Sequence, residues 1–65
     1  MINDLAECYE VIVEGVEHDT LYLVTYHYVN TYGEALEIAD EVKGLGYKVT
    51  VYDSVADKYT DITVA

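Results

Sequence analysis

The chain predicts an α+β domain of order β-β-α-β-β, one helix packed on a four-stranded mixed sheet, and three features of its patterning say so. Residues 9–14, 47–53 and 59–64 alternate in polarity with the period of a half-buried strand. Residues 20–29, TLYLVTYHYV, are rich in β-branched and aromatic side chains, which suit a pleated surface. Residues 33–45, GEALEIADEVKGL, change to helical period.

In chain order, residues 1–8 (MINDLAEC) form a helical turn or a loose arm before the first strand. In YEVIVE, Tyr9, Val11 and Val13 face one way and Glu10, Ile12 and Glu14 the other. GVEHD then breaks the alternation with Gly15 and polar residues, which makes strands one and two a hairpin. At about 100° per residue, Ala35, Ile38, Ala39, Val42 and Leu45 line the inner side of the helix and Glu34, Glu37, Asp40 and Glu41 the outer side. Thr31 or Asn30 caps its start, and Gly44 or Gly46 ends it. YKVTVYD is strand three, SVADK a polar turn, and YTDITV a weaker last strand. With no linker, repeat or low-complexity tract, residues 1–65 read as one small domain.

One helix covers one side of a sheet. The residues suited to lie under it are Val11, Val13, Leu21, Leu23, Val49, Val51, Ile62 and Val64. The opposite face then carries Tyr22, Val24, Tyr26 and Tyr28 from strand two, Thr50 and Tyr52 from strand three, and Glu10, Ile12 and Glu14 from strand one. Strand two has no charge and is expected to be central, with a right-handed crossover leaving strands two and three parallel if they are neighbours. Tyrosine on a solvent-facing sheet points to an interface, because its ring buries with little entropy loss while its hydroxyl finds a partner.

Charge narrows the partner. Thirteen Asp and Glu against Lys43, Lys48 and Lys58, with no Arg, give a net charge of −10. Such a field repels nucleic acid and anionic lipid and attracts basic proteins. No stretch approaches the roughly 20 apolar residues of a membrane span, and Cys8 is the only cysteine, which fits a reducing cytoplasm. The expectation is a cytoplasmic protein, in a host cell's cytoplasm if phage-encoded, with no direct nucleic-acid or membrane binding.

Few residues could carry chemistry. His18, in the hairpin, and His27, in strand two, lack the short paired spacings of zinc sites. Asp53, Asp57 and Asp61 recur every four residues but without the ligand order and glycine of a calcium loop. GLG at residues 44–46 follows the helix instead of preceding it, unlike a phosphate loop. No enzyme, metal site or cofactor is expected.

The remaining feature is the spacing of acids. Glu34, Glu37 and Glu41 lie on a narrow helical arc, with turns about 5.4 Å apart. That is within a factor of about two of the roughly 3.4 Å charge spacing along a DNA strand. On the acids of GEALEIADEVKG and the tyrosines of LYLVTYHYV, the chain resembles the small acidic DNA-mimic inhibitors of phage and plasmid type, such as those acting on uracil-DNA glycosylase, restriction enzymes or CRISPR effectors. The resemblance implies a non-enzymatic inhibitor of a basic nucleic-acid-handling protein. It carries over no residue; alternation and charge alone give Tyr22, Tyr26, Tyr28, Tyr52, Glu10, Glu14, Glu34, Glu37 and Glu41 as the expected binding residues. The alternative is a homodimeric structural or regulatory module whose tyrosine-rich face pairs with its own copy.

Overall fold

The computed structural model describes residues 9–64; the segment MINDLAEC, expected to be a turn or an arm, lies outside the described residues. β1 (Tyr9–Glu17) and β2 (Thr20–Val29) form a hairpin, α1 (Tyr32–Glu41) follows, and β3 (Lys48–Asp53) and β4 (Lys58–Asp61) form a second hairpin. The α+β class and the order β-β-α-β-β are as expected. The strands make one sheet in the order β2-β1-β3-β4. Every adjacent pair is antiparallel, so the sheet is antiparallel and not mixed.

β2 and β3 do point the same way, but β1 lies between them, and β2 is an edge strand instead of the central one expected. The reason lies in β1 and β3. Val11, Val13, Val49 and Val51 are the large side chains that are fully buried, and pairing β1 with β3 sets Val11 opposite Val51 and Val13 opposite Val49. That valine cluster needs β1 in the middle.

The hairpin between β1 and β2 is tighter than the sequence suggests. β1 runs on through Gly15 to Glu17, and the turn is only His18 and Asp19, with φ of 53° and 64°. Positive φ at both central residues is the mirror-image turn whose twist matches that of the flanking strands. Farther along, the register slips: Val13 pairs with Thr25, whereas Glu14 pairs with Leu23. Val24 is the extra residue of a β-bulge and packs against the core.

The slip exchanges the two sides of β2. Beyond it Tyr22 pairs with Gly15 on the helix side, while Leu21 and Leu23 pair with Val16 and Glu14 on the open side. These three residues, and Val24, therefore face opposite to the expectation from strict alternation. The Tyr22 ring lies directly over Gly15, where a Cβ would come within 2.4 Å of it. Glycine at this position is what admits the ring.

α1 rests on β1 and β2 and buries Ala35 and Ala39 against the valines, with Ile38 and Val42 at the margin. Thr31 caps it: its Oγ1 accepts from the Glu34 N–H at 3.1 Å, and the Glu34 carboxylate accepts from the Thr31 and Asn30 N–H groups at 3.1 and 2.9 Å. The helix stops at Glu41, earlier than its period suggests, and leaves Leu45 62% exposed. Gly44 and Gly46, at φ of 84° and 83°, take the chain into left-handed turns that no helix continues through.

β4 is short, but Ile62 beyond it donates its N–H to the Val49 carbonyl at 2.9 Å and packs on the core. Val64, expected beneath the helix, is exposed.

The cap is testable. Thr31→Ala is expected to cost about 1 kcal/mol and to lower Tm by roughly 4–8 °C, read from thermal unfolding followed by circular dichroism. Adding Gly15→Ala to Tyr22→Ala is expected to raise stability, whereas in the wild-type background the new methyl must displace the ring; a double-mutant cycle on denaturant unfolding reads the coupling.

Candidate functional site

With α1 on one side, the other side of the sheet is left open by the described residues. Strand pairing arranges it in rows. The first row runs Tyr28, Glu10, Tyr52, Tyr59 across all four strands, and the next runs Tyr26, Ile12, Thr50, Asp61. Below them lie Leu23, Glu14 and Lys48, then Leu21 and Val16. Tyr28 and Tyr59 are about two-thirds exposed, and Tyr26, Leu21, Leu23 and Val16 are exposed as well. This is a continuous aromatic and aliphatic surface.

Glu10 sits in its midst. β1 is central, so Glu10 has Tyr28 directly across on one side and Tyr52 on the other. The Tyr26 hydroxyl donates to Glu10 Oε1. The Tyr26 and Tyr28 rings meet edge to face at 5.3 Å between centroids, and Tyr52 and Tyr59 lie tilted at 4.6 Å. Such ring pairs hold each other's orientation. On the far side the Tyr52 hydroxyl donates to Asp57 Oδ1 at 2.8 Å.

The carboxylates shift the phenols. Hydrogen bonding to Glu10, chiefly, pushes the Tyr26 ionisation well above the ordinary tyrosine range, and Asp57 does the same to Tyr52. In both pairs a second negative charge would meet the first. Asp61 moves the other way, because it accepts from the Thr63 hydroxyl and N–H at 2.6 and 2.9 Å.

Of the residues expected to bind, Tyr26, Tyr28, Tyr52, Glu10 and Glu14 share this open face. Tyr22 does not, because the bulge turns it to the helix side. Glu34 is engaged in the helix cap. Glu37 and Glu41, with Leu36 and Asp40, line a shallow depression of about 420 Å³ on α1, where Asp40 pairs with Lys43 at 3.1 Å. Because α1 lies on the opposite layer, the acidic helix and the tyrosine face are on opposite sides of the molecule.

Tyr59, Leu21 and Leu23 belong to the open face and were missed. Tyr59 could have been found from the alternation of β4, since it has the parity opposite to Ile62. The leucines could not, because nothing local in the sequence marks the bulge.

Among the described residues, no three His, Cys, Asp or Glu side chains gather as a metal site would need. No described helix is long and apolar enough to cross a membrane. Comparison with family models, curated proteins and solved structures finds no match.

The phenols predict alkaline behaviour. Tyr26 and Tyr52 have raised folded pKa values, so what their hydrogen bonds contribute is fully present below the unfolded tyrosine value of about 10 and is lost as pH rises through the folded values. Asp61, with a lowered folded pKa, contributes above about 3.9 and loses that contribution as pH falls. Denaturant unfolding across pH is expected to show both losses, with Tyr26→Phe flattening the alkaline one.

Proposed function

We propose that this chain is a non-enzymatic protein-binding module that docks a basic, nucleic-acid-handling protein on its open sheet face and so inhibits it. The observation that carries the reading is Glu10, a carboxylate flanked by tyrosines on a surface that faces solvent. A lysine or arginine side chain suits that arrangement, meeting the carboxylate with its charge and the rings with its cation–π attraction. Glu14 and Asp61 extend the negative surface around it, with Lys48 beside Glu14 the one cation on the face among the described residues, and the exposed leucines supply apolar area that excludes water from the contact.

The net charge of −10 supports a basic partner, since it speeds encounter with a positive groove of the kind built for DNA. Glu37 and Glu41 add to that field from the opposite side without belonging to the contact. A second copy suits this face poorly, because its Glu10, Glu14 and Asp61 outnumber its Lys48 and would meet the same carboxylates.

Affinity capture from a bacterial lysate at low salt tests the reading. A basic DNA- or RNA-binding protein is expected to be retained, released at high salt and displaced by added DNA. Glu10→Lys with Glu14→Lys should abolish retention and Tyr28→Ala should weaken it by about 1–2 kcal/mol, while Glu37→Lys with Glu41→Lys slows association more than it weakens the complex. Retention that survives the sheet-face reversals overturns the assignment.

A further inference from the structure

The two edges of the sheet are built differently. β4 is a short edge of four residues that carries Lys58 and Asp61. β2 is a ten-residue edge with no proline, and no Asp, Glu, Lys or Arg occurs anywhere from Thr20 to Gly33. An edge strand presents alternate N–H and C=O groups to whatever lies beside it, and proteins ordinarily guard such edges with charge, proline or brevity. The bulge at Val24 bends one part of β2 and leaves Thr25–Val29 regularly paired to β1. A chain so rich in carboxylates has left its longest edge without any.

We propose that the β2 edge pairs antiparallel with the β2 edge of a second copy, joining the two sheets into one of eight strands. Neutrality is what selects this occupant. Two chains of charge −10 repel wherever carboxylate meets carboxylate, and a two-fold interface sets one patch against the same patch of the copy, so that an acidic patch would meet an acidic patch. The β2 edge lets two copies meet without that opposition. A basic peptide would gain no charge pairing from β2 itself, whereas the adjoining face offers it Glu10 and Glu14.

The pairing adds to the partner reading and does not depend on it. It leaves the open face uncovered and doubles it, with Tyr26 and Tyr28 beside the seam and Thr25 and His27 on the helix side. A chain of 65 residues, whose fully buried side chains among the described residues are four valines and two alanines, also gains stability from pairing with a second copy.

Repulsion between the two bodies acts over distance and is screened by ions, whereas the strand pairing is not. Dimerisation should therefore tighten as salt rises, opposite in sign to binding of a basic partner. Sedimentation equilibrium of the chain at low and high salt, with amide hydrogen exchange followed by NMR, tests this. The expected result is a dimer whose Kd falls with added salt, with alternate β2 amides gaining protection as concentration rises. Thr25→Glu should raise the Kd about tenfold or more, since it places one added carboxylate from each copy at a seam between two chains already of like charge. Should that variant lose its fold by circular dichroism, His27→Glu serves instead. A monomer at every salt and concentration overturns the proposal, as does a dimer in which the β2 amides exchange as fast as in the monomer, or one that the charge variant leaves intact.

Discussion

Everything in this fold follows from β1 being hydrogen-bonded along both edges. Its valines meet those of β3 under the helix, and its other side, Glu10, Ile12 and Glu14, is held at the middle of a face that no described element covers. A ten-residue helix is only about 15 Å long, and it is used up in sealing Val11, Val13, Val49 and Val51 with two alanines. The core is therefore small, and the opposite face remains a surface.

That surface is organised by proximity across strands. Glu10 has tyrosines on both sides because the antiparallel registers of β2 and β3 bring Tyr28 and Tyr52 level with it. The ring pairs and the hydroxyl contacts to Glu10 and Asp57 then orient four tyrosines without burying them. On the reading proposed above, a cationic side chain would bind such an arrangement at little ordering cost, because the rings are already placed.

The bulge gives the face its second half. By slipping the register at Val24 it moves Leu21 and Leu23 to the open side and sends Tyr22 over Gly15. The open side thus grades from tyrosine and acid at one end to aliphatic at the other. The edge that carries the bulge is also the one without Asp, Glu, Lys or Arg, so face and edge are separate surfaces with different electrostatics, and a basic partner is proposed for the first and a second copy for the other.

The element order, the helix and its cap at Asn30 or Thr31, the valines of β1 and β3, and the sharing of one face by Glu10, Glu14, Tyr26, Tyr28 and Tyr52 were legible in the sequence. Each is a matter of local period or of a cap within one helical turn, and such signals travel with the residues themselves. The tertiary structure alone decided the place of β2 at the edge, the facing of Leu21, Tyr22 and Leu23, and the separation of the acidic helix from the tyrosine face. Absence of charge fits a central strand and an unguarded edge equally, and only the packing of β1 against β3 chooses between them. Alternation has a period of two and holds no record of where one extra residue will be absorbed; the bulge at Val24 is settled by cross-strand pairing, so it reverses every facing beyond it without leaving a mark in the sequence.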